Sequence, residues 1–348
     1  MLLDALDLFS GAGGLTLGLE GAGWHVVGSV ENDRDATLTH KMNFPAITHF
    51  DDVRSIDFKK FAGLGLIAGG PPCQPFSVSG KQQGAADERD MIPQFFRAVR
   101  EARPMAFLME NVAGLMAPRF RGYVERFVAS VKQDPDLSYD VYLDVLDAAD
   151  FGVPQHRRRL FIVGVPRGTA FAFPAATHGK GNLLPYATVA DALKGVPEDT
   201  PNLAKVVFAM NPVLRRSPYA GLLLNGKGRP LNPDAPSLTI PATAGGNRTH
   251  IIDPAQILVQ YHRELMNGGM PRRGQVPGCR RLTLRECARI QSFPDQFMFA
   301  GKKSRQFSQV GNAVPPKLAC AVAKAIFTAI ATSNAARISD QQVGTIGR

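Results

Sequence analysis

Between residues 3 and 165, short apolar runs alternate with stretches whose apolar positions recur at helical spacing. The runs at 3–9, 26–30, 64–68 and 106–109 are too short for helices, are bounded by glycine or charged residues, and read as buried strands; the stretches that follow them, 15–21, 36–42, 93–101 and 123–132, read as helices. That rhythm predicts an α/β fold with a doubly wound, mostly parallel sheet. Residues 139–148 and 160–165 add two more strands, expected as a hairpin at the sheet edge.

The pattern breaks near Pro166. From there to Cys279 the chain is rich in Gly, Pro, Asn and Thr and has few periodic segments, which predicts a second, smaller and loop-rich domain. Regularity returns at 281–292, where Thr283 and Glu286 have the spacing of a capping box and Phe293-Pro294 ends the run. A last helix is predicted from Pro315-Pro316 to about Ile330, with its prolines in the tolerated first turn. Leu318, Val322, Ala325, Ile326 and Ala329 share one face of it and should return to pack on the first domain. The expected boundaries are 1–170 for the first domain, 171–300 for the second, 301–332 for the return segment, and a polar, disordered tail over 333–348.

With 348 residues, 45% of them hydrophobic, the chain can bury a large core. It lacks an apolar run of membrane-spanning length and a basic leader pattern, so a cytoplasmic protein without a membrane partner is expected. Four cysteines without zinc-ligand spacing or disulfide density predict no metal site and a reducing compartment. The net charge of +10 is concentrated at Arg272, Arg273, Arg280, Arg281, Arg285, Arg289, Lys302, Lys303 and Arg305, opposed nearby by Glu286 and Asp295. A positive stripe of that kind suits a polyanionic partner.

Candidate chemistry lies at the carboxyl ends of the predicted strands. Pro71, Pro72 and Pro75 enclose Cys73 and Gln74, so the thiol sits on a stiff loop that can continue neither a helix nor a central strand. In an open α/β sheet that rim is where ligands bind, although a buried structural cysteine remains the ordinary alternative. Asp7-Leu8-Phe9-Ser10-Gly11-Ala12-Gly13-Gly14 joins the first strand to the first helix with glycines that let backbone N–H groups approach a ligand. Glu31, twenty residues after Gly11, ends the second strand, where a carboxylate can accept from ribose hydroxyls. Because Thr16 stands where a dinucleotide fingerprint has its third glycine, these residues leave a nicotinamide cofactor and S-adenosylmethionine both open. Asp52 is a candidate for an adenine amino group or an ordinary turn residue. Glu110 ends the fourth predicted strand, where desolvation can keep a carboxyl protonated. Gln155-His156-Arg157-Arg158-Arg159 brings arginines to a strand's start, suited to a phosphate or a polarised carbonyl.

Six blocks in order make the sequence resemble the cytosine-C5 DNA methyltransferases over nearly its whole length: residues 7–14, 70–77, 110–112, 155–159, 281–286 continuing to 291–294, and 309–314. The segment between Pro166 and Cys279 is outside that match. The resemblance implies a Rossmann-like methyltransferase fold whose first domain is catalytic and cofactor-binding and whose second recognises the target. It makes Cys73 the nucleophile, Glu110 the acid at N3 of cytosine, Arg157 and Arg159 holders of the base carbonyl or a flanking phosphate, and Gln155 a support for their loop. It assigns S-adenosylmethionine as cofactor, with contacts from Phe9, Ser10, Gly11, Ala12, Gly13, Gly14, Glu31, Asn32, Asp52, Val53, Pro72, Met91, Asn312 and Ala313. Double-stranded DNA would lie in a basic cleft between the domains, met by Ser77, Ser79, Asn225, Lys227, Arg229, Asn247, Arg248, Arg272 and Arg273. Asn and Arg on glycine loops suit bidentate contacts to purine edges. A monomer, functionally coupled to a restriction endonuclease or acting alone on nucleoid DNA, is the expected setting. An RNA cytosine-C5 methyltransferase and, more remotely, a nicotinamide-dependent oxidoreductase are the rival activities.

Overall fold

The computed structural model describes residues 3–72, 90–181, 183–226, 228–243 and 245–346, and the side chains of these apart from residues 247 and 334–346. The chain divides into two units. The first takes Met1–Phe151, Arg158–Ala176 and Val314–Arg348; the second takes Gly152–Arg157 and Thr177–Ala313.

In the first unit, β1 (Leu3–Leu8), β2 (Trp24–Val30), β3 (Thr48–Phe50), β4 (Leu66–Gly69), β5 (Ala106–Val112), β6 (Tyr139–Asp147) and β7 (Arg158–Pro166) form one sheet in the order β3-β2-β1-β4-β5-β7-β6. The first five strands are parallel, while β7 runs antiparallel to both β5 and β6. Strand order reverses between β1 and β4, the position in such a sheet outside whose carboxyl ends ligands bind. β3 has only three residues, too few for a hydrophobic period to reveal.

Side chains alternate across a strand, and β1 uses both faces. Leu6 and Leu8 point into a core shared with Ile67, Phe107, Met109, Leu160 and Ile162, covered by α3 (Ile92–Ala102) and α4 (Pro118–Gln133), which follow α1 (Gly14–Gly21) and α2 (Arg34–Asn43) in the chain. α3 buries Phe95, Ala98, Val99 and Ala102 at helical spacing, and its larger apolar side chains contribute roughly 1.5–3 kcal/mol each. Elsewhere in the unit the last helix, Pro316–Ile346, packs on α1 so closely that a Cβ on Gly18 would lie 2.3 Å from that of Ala319. Trp24 Nε1 donates to Ala323 O at 3.0 Å across the same contact.

Two expectations change at this helix. It runs to Ile346, where polar sequence suggested a disordered tail from 333, because residues 333–343 contain no Pro or Gly and polarity alone does not end a helix. The stretch Lys303–Ser333 is also apolar and long enough to cross a bilayer by length and composition, yet Leu318, Val322 and Ile326 are fully buried within the protein, as in a core helix.

Gly164 on β7 lies opposite Phe107 on β5, and a Cβ there would fall 2.0 Å from the Phe107 ring. That ring is held edge-on by Phe95 and Tyr139 and has no room to yield. Gly164→Ala should therefore lower stability by about 2–3 kcal/mol, read from urea unfolding midpoints at an unchanged slope.

The second unit has little regular structure: α5 (Val189–Leu193), the β8 (Phe208–Val213) and β9 (Leu222–Leu224) hairpin, the β10 (Ile251–Ile252) and β11 (Arg280–Arg281) pair, α6 (Ile257–Met266), α7 (Leu284–Ile290) and α8 (Lys303–Asn312). Leu258, Tyr261 and Leu265 of α6 close a small core with Val206, Phe208, Leu223, Ile251 and Val276. The Thr283–Glu286 capping box is formed at the start of α7.

Candidate active site

The glycine loop follows β1 directly. Phe9, Gly11 and Gly13 all have positive φ, and Gly13 caps α1 without a side-chain bond, which leaves the first N–H groups of the helix to other acceptors. The two glycines serve different ends. A Cβ on Gly11 would meet nothing within 4 Å, whereas one on Gly13 would strike the Phe44 ring at 2.5 Å. Gly11 thus borders open space and Gly13 is required by packing. Glu31 accepts from Gly11 N at 2.9 Å and Asp33 N at 2.7 Å, and burial raises its pKa above the usual carboxylate range. The Ser10 hydroxyl is buried and has no hydrogen-bond partner among the described residues. Beside the loop, Ala12 is buried, Gly14 begins α1 and Asn32 is exposed. An open loop with an unpartnered hydroxyl and a fixed carboxylate fits a nucleoside-bearing cofactor.

Other expected cofactor residues have partners of their own. The Asp52 carboxylate is held by Arg54 at 2.8–3.1 Å and caps the short turn Val53–Ser55, which holds it below its ordinary pKa. Val53 is buried, Met91 precedes α3 against the core, and Pro72 is exposed. Asn312 and Ala313 end α8 in the second unit.

At the carboxyl end of β5, Glu110 is 8% exposed, and its Oε1 pairs with Arg159 Nε at 2.9 Å. A Cβ on Gly70 would come within 3.1 Å of Glu110 Oε2, so only glycine lets the chain leaving β4 pass this carboxyl without displacing it. Next to it, buried Asn111 donates from Nδ2 to Pro71 O at 3.1 Å. The entry to the proline-rich loop is thereby fixed against the strand that carries Glu110. Cys73, Ser77 and Ser79 lie outside the described residues.

The two arginines expected at the base carbonyl or a phosphate have different surroundings. Arg159 pairs with Glu110. Arg157 is 1% exposed and donates to Ile240 O at 3.2 Å and Gly311 O at 2.8 Å. Through these two carbonyls its guanidinium pins the second unit's backbone. Gln155 is fully buried, accepts from Ile240 N at 2.8 Å and donates to Gln291 Oε1 at 2.9 Å; Gln291 in turn donates to Val310 O at 2.7 Å. In the sequence Gln291 stands within one of the six blocks with no role of its own. Here it joins three blocks that are far apart in the chain.

Arg281 has a similar structural role. Fully buried, it donates to Thr249 O at 2.8 Å and Asn225 O at 3.1 Å, tying together the two loops expected to read DNA. Asn225 and Arg248 are exposed on those loops, and Arg229 is half-buried with its backbone N–H bonded to His250. Asn247 lies in the short turn Gly246–Arg248, and Lys227 lies outside the described residues. The positive stripe is weaker than its sequence suggests. Arg272 pairs with Glu264, Arg280 with Glu286, Arg289 with Asp295 and Lys303 with Asp199, at 2.5–3.4 Å. Glu264 and Asp199 come from outside the stripe, so local counting missed them. Arg273 is exposed.

Comparison with known proteins agrees with this architecture. The family model for C-5 cytosine-specific DNA methylase matches residues 3–328. The chain is 36% identical to type II methyltransferase M1.HphI of Haemophilus parahaemolyticus, with 94% of this chain and 87% of that protein covered. It is 32% identical to M.NgoMIV of Neisseria gonorrhoeae, covering 96% and 100%. A DNA modification methyltransferase encoded within an Escherichia coli prophage superposes with a TM-score of 0.64 at 25% identity, covering 94% of this chain and 99% of that one. S. pombe Dnmt2 shares the fold, with a TM-score of 0.66 at 18% identity over 94% and 99%. The nicotinamide alternative left open by the glycine loop falls away with these matches. The chain belongs to the C-5 cytosine-specific DNA methylase family and is a DNA cytosine-C5 methyltransferase.

Proposed function

We propose that the protein transfers the methyl group of S-adenosylmethionine to C5 of a cytosine flipped out of a specific duplex sequence, through a transient bond from Cys73 to C6. The observation that carries this reading is the meeting of the glycine loop after β1, the fixed Pro71 entry to the cysteine loop after β4, and Glu110 at the end of β5 along one sheet rim. The cofactor supplies an electrophilic methyl group. Open Gly11 and the Ser10 hydroxyl suit its polar end, while Glu31, already fixed by two backbone N–H groups, would accept from its ribose.

The residue types fit the ring chemistry. C5 of cytosine is a poor nucleophile until C6 is saturated, and a thiolate both adds readily and leaves readily. As Cys73 Sγ adds to C6, Glu110 would donate a proton to N3, relieving the charge that develops in the ring. After methyl transfer the C5 proton would pass to solvent water, the thiolate would leave C6, and the N3 proton would return to Glu110, restoring ring and enzyme. Arg159 sets the Glu110 carboxyl in place through its ion pair. None of these atoms is reachable in a stacked duplex, so the base must leave the helix.

DNA as the polymer is supported by the family model and the type II relatives, and the exposed loops carrying Asn225, Asn247 and Arg248 are the elements proposed to read sequence. A monomer in the cytoplasm, paired with a restriction endonuclease, is the proposed setting. Two measurements test the reading. Tritium from labelled S-adenosylmethionine should enter duplex DNA and not transfer RNA. Target DNA with 5-fluorocytosine should give a protein–DNA band stable on a denaturing gel only when S-adenosylmethionine is present, because fluorine at C5 blocks release of the thioether. Absence of a cofactor-dependent band would rule out the covalent route.

A further inference from the structure

Beside the glycine loop, Asp7, Thr16 and His40 form a hydrogen-bonded chain that the proposed chemistry does not use. All three side chains are fully buried. Thr16 Oγ1 is 2.6 Å from Asp7 Oδ2 and 2.9 Å from His40 Nε2, so one hydroxyl links β1, α1 and α2. The His40 ring lies 4.6 Å from that of Phe44 and 5.0 Å from that of His49, whose Nδ1 is 2.8 Å from Ser29 Oγ. The Phe44 and His40 rings are also what a Cβ on Gly13 would strike, at 2.5 and 3.1 Å. The chain's far end is therefore the floor of the loop's second glycine.

Its two ends are left bare: Asp7 Oδ1 and His40 Nδ1 are buried without hydrogen-bond partners among the described residues. Ionised Asp7 would carry an unsatisfied anionic oxygen close to Glu31, and protonated His40 would carry a buried N–H with no acceptor. The low-energy form is a neutral acid joined through Thr16 to a neutral imidazole. The charged and titratable groups around it are Glu31 at the end of β2, His49 on β3 and Lys41 on α2, and each disfavours the charge it faces. Burial, reinforced by Glu31, pushes Asp7 up to about 7, and burial, reinforced by His49, pushes His40 down to about 3.

We infer that Asp7, Thr16 and His40 act as one charge-neutral positioning unit that holds residues 9–14 in the conformation receiving the cofactor; this rests on the proposed cofactor reading of that loop. A neutral unit has a specific proton balance. Between pH 4 and 6.5 the unfolded pair holds one proton, on His40, and the folded pair also holds one, on Asp7, so the unit gives no pH slope to stability. Asp7 alone has a raised pKa, and its contribution is present below its ordinary value of 3.8 and lost as pH rises toward 7. His40 alone has a lowered pKa, and its contribution is present above 6.5 and lost as pH falls toward 3.

Removing either member should unmask the other. In urea titrations of the full chain from pH 4.5 to 6.5 without cofactor, Asp7→Asn should make the folding constant rise with pH relative to wild type, and His40→Gln should make it fall, each by about tenfold per pH unit. Separately, Thr16→Val should raise KM for S-adenosylmethionine about tenfold or more with kcat within about threefold, and Thr16→Ser should restore it. Slopes parallel to wild type in both single variants, or a Thr16→Val KM within about twofold of wild type, would overturn the inference. Failure of the wild-type chain to bind S-adenosylmethionine would sink the cofactor reading instead, while the slopes, measured without cofactor, still decide the neutral unit.

Discussion

Cys73→Ser is expected to lower the methylation rate by at least about 10⁴-fold, a barrier increase of about 5 kcal/mol, while S-adenosylmethionine affinity stays within about threefold. Serine is similar in size, but its hydroxyl is almost wholly protonated at neutral pH and is a far poorer nucleophile toward C6. The entry to the loop is held independently of this substitution by Asn111 at Pro71 O, two residues earlier. A single-turnover measurement of tritium transfer with saturating duplex isolates the chemical step. A rate within about tenfold of wild type would remove Cys73 from the mechanism, because no hydroxyl could sustain covalent addition at that level.

What the sequence made legible were features with local signatures. Left-handed glycines after a strand, a Thr283–Glu286 cap and proline-stiffened residues each act within a few positions, and the structure forms the first two as expected. What it hid were partners chosen by the fold. In the sequence Arg157 reads as a ligand-binding cation and Arg281 as part of a positive stripe, yet each is buried against carbonyls 32 to 154 residues away. Two of the nine cations in the basic stripe are paired by Glu264 and Asp199, which lie outside it in sequence. Thr16 was noticed only as a departure from a glycine fingerprint; its hydroxyl, joining residues 9 and 24 positions away, explains why threonine is useful there. β3 and the continuation of the last helix were missed for opposite reasons, the first too short to show a period and the second too polar to suggest order.

The Glu110–Arg159 pair sets the second large effect. Glu110→Gln keeps the side chain's shape and a donor but removes the acid, and the rate should fall by about 10²–10⁴ with duplex affinity changed much less. The ion pair sharpens the expectation. Arg159 Nε lies 2.9 Å from Glu110 Oε1, with both side chains largely buried, so Arg159 fixes where the carboxyl can deliver its proton. Arg159→Ala should lose activity through the same step, since it frees the carboxyl to rotate and leaves it without its cation. Groups that act through one another are not additive, and the double variant should be little slower than Glu110→Gln alone. Single-turnover rates and duplex dissociation constants for the two singles and the double complete the cycle. If the two losses simply multiply, Arg159 acts on the substrate rather than through Glu110; if binding and rate fall together in Glu110→Gln, the carboxyl positions the base and something else delivers the proton.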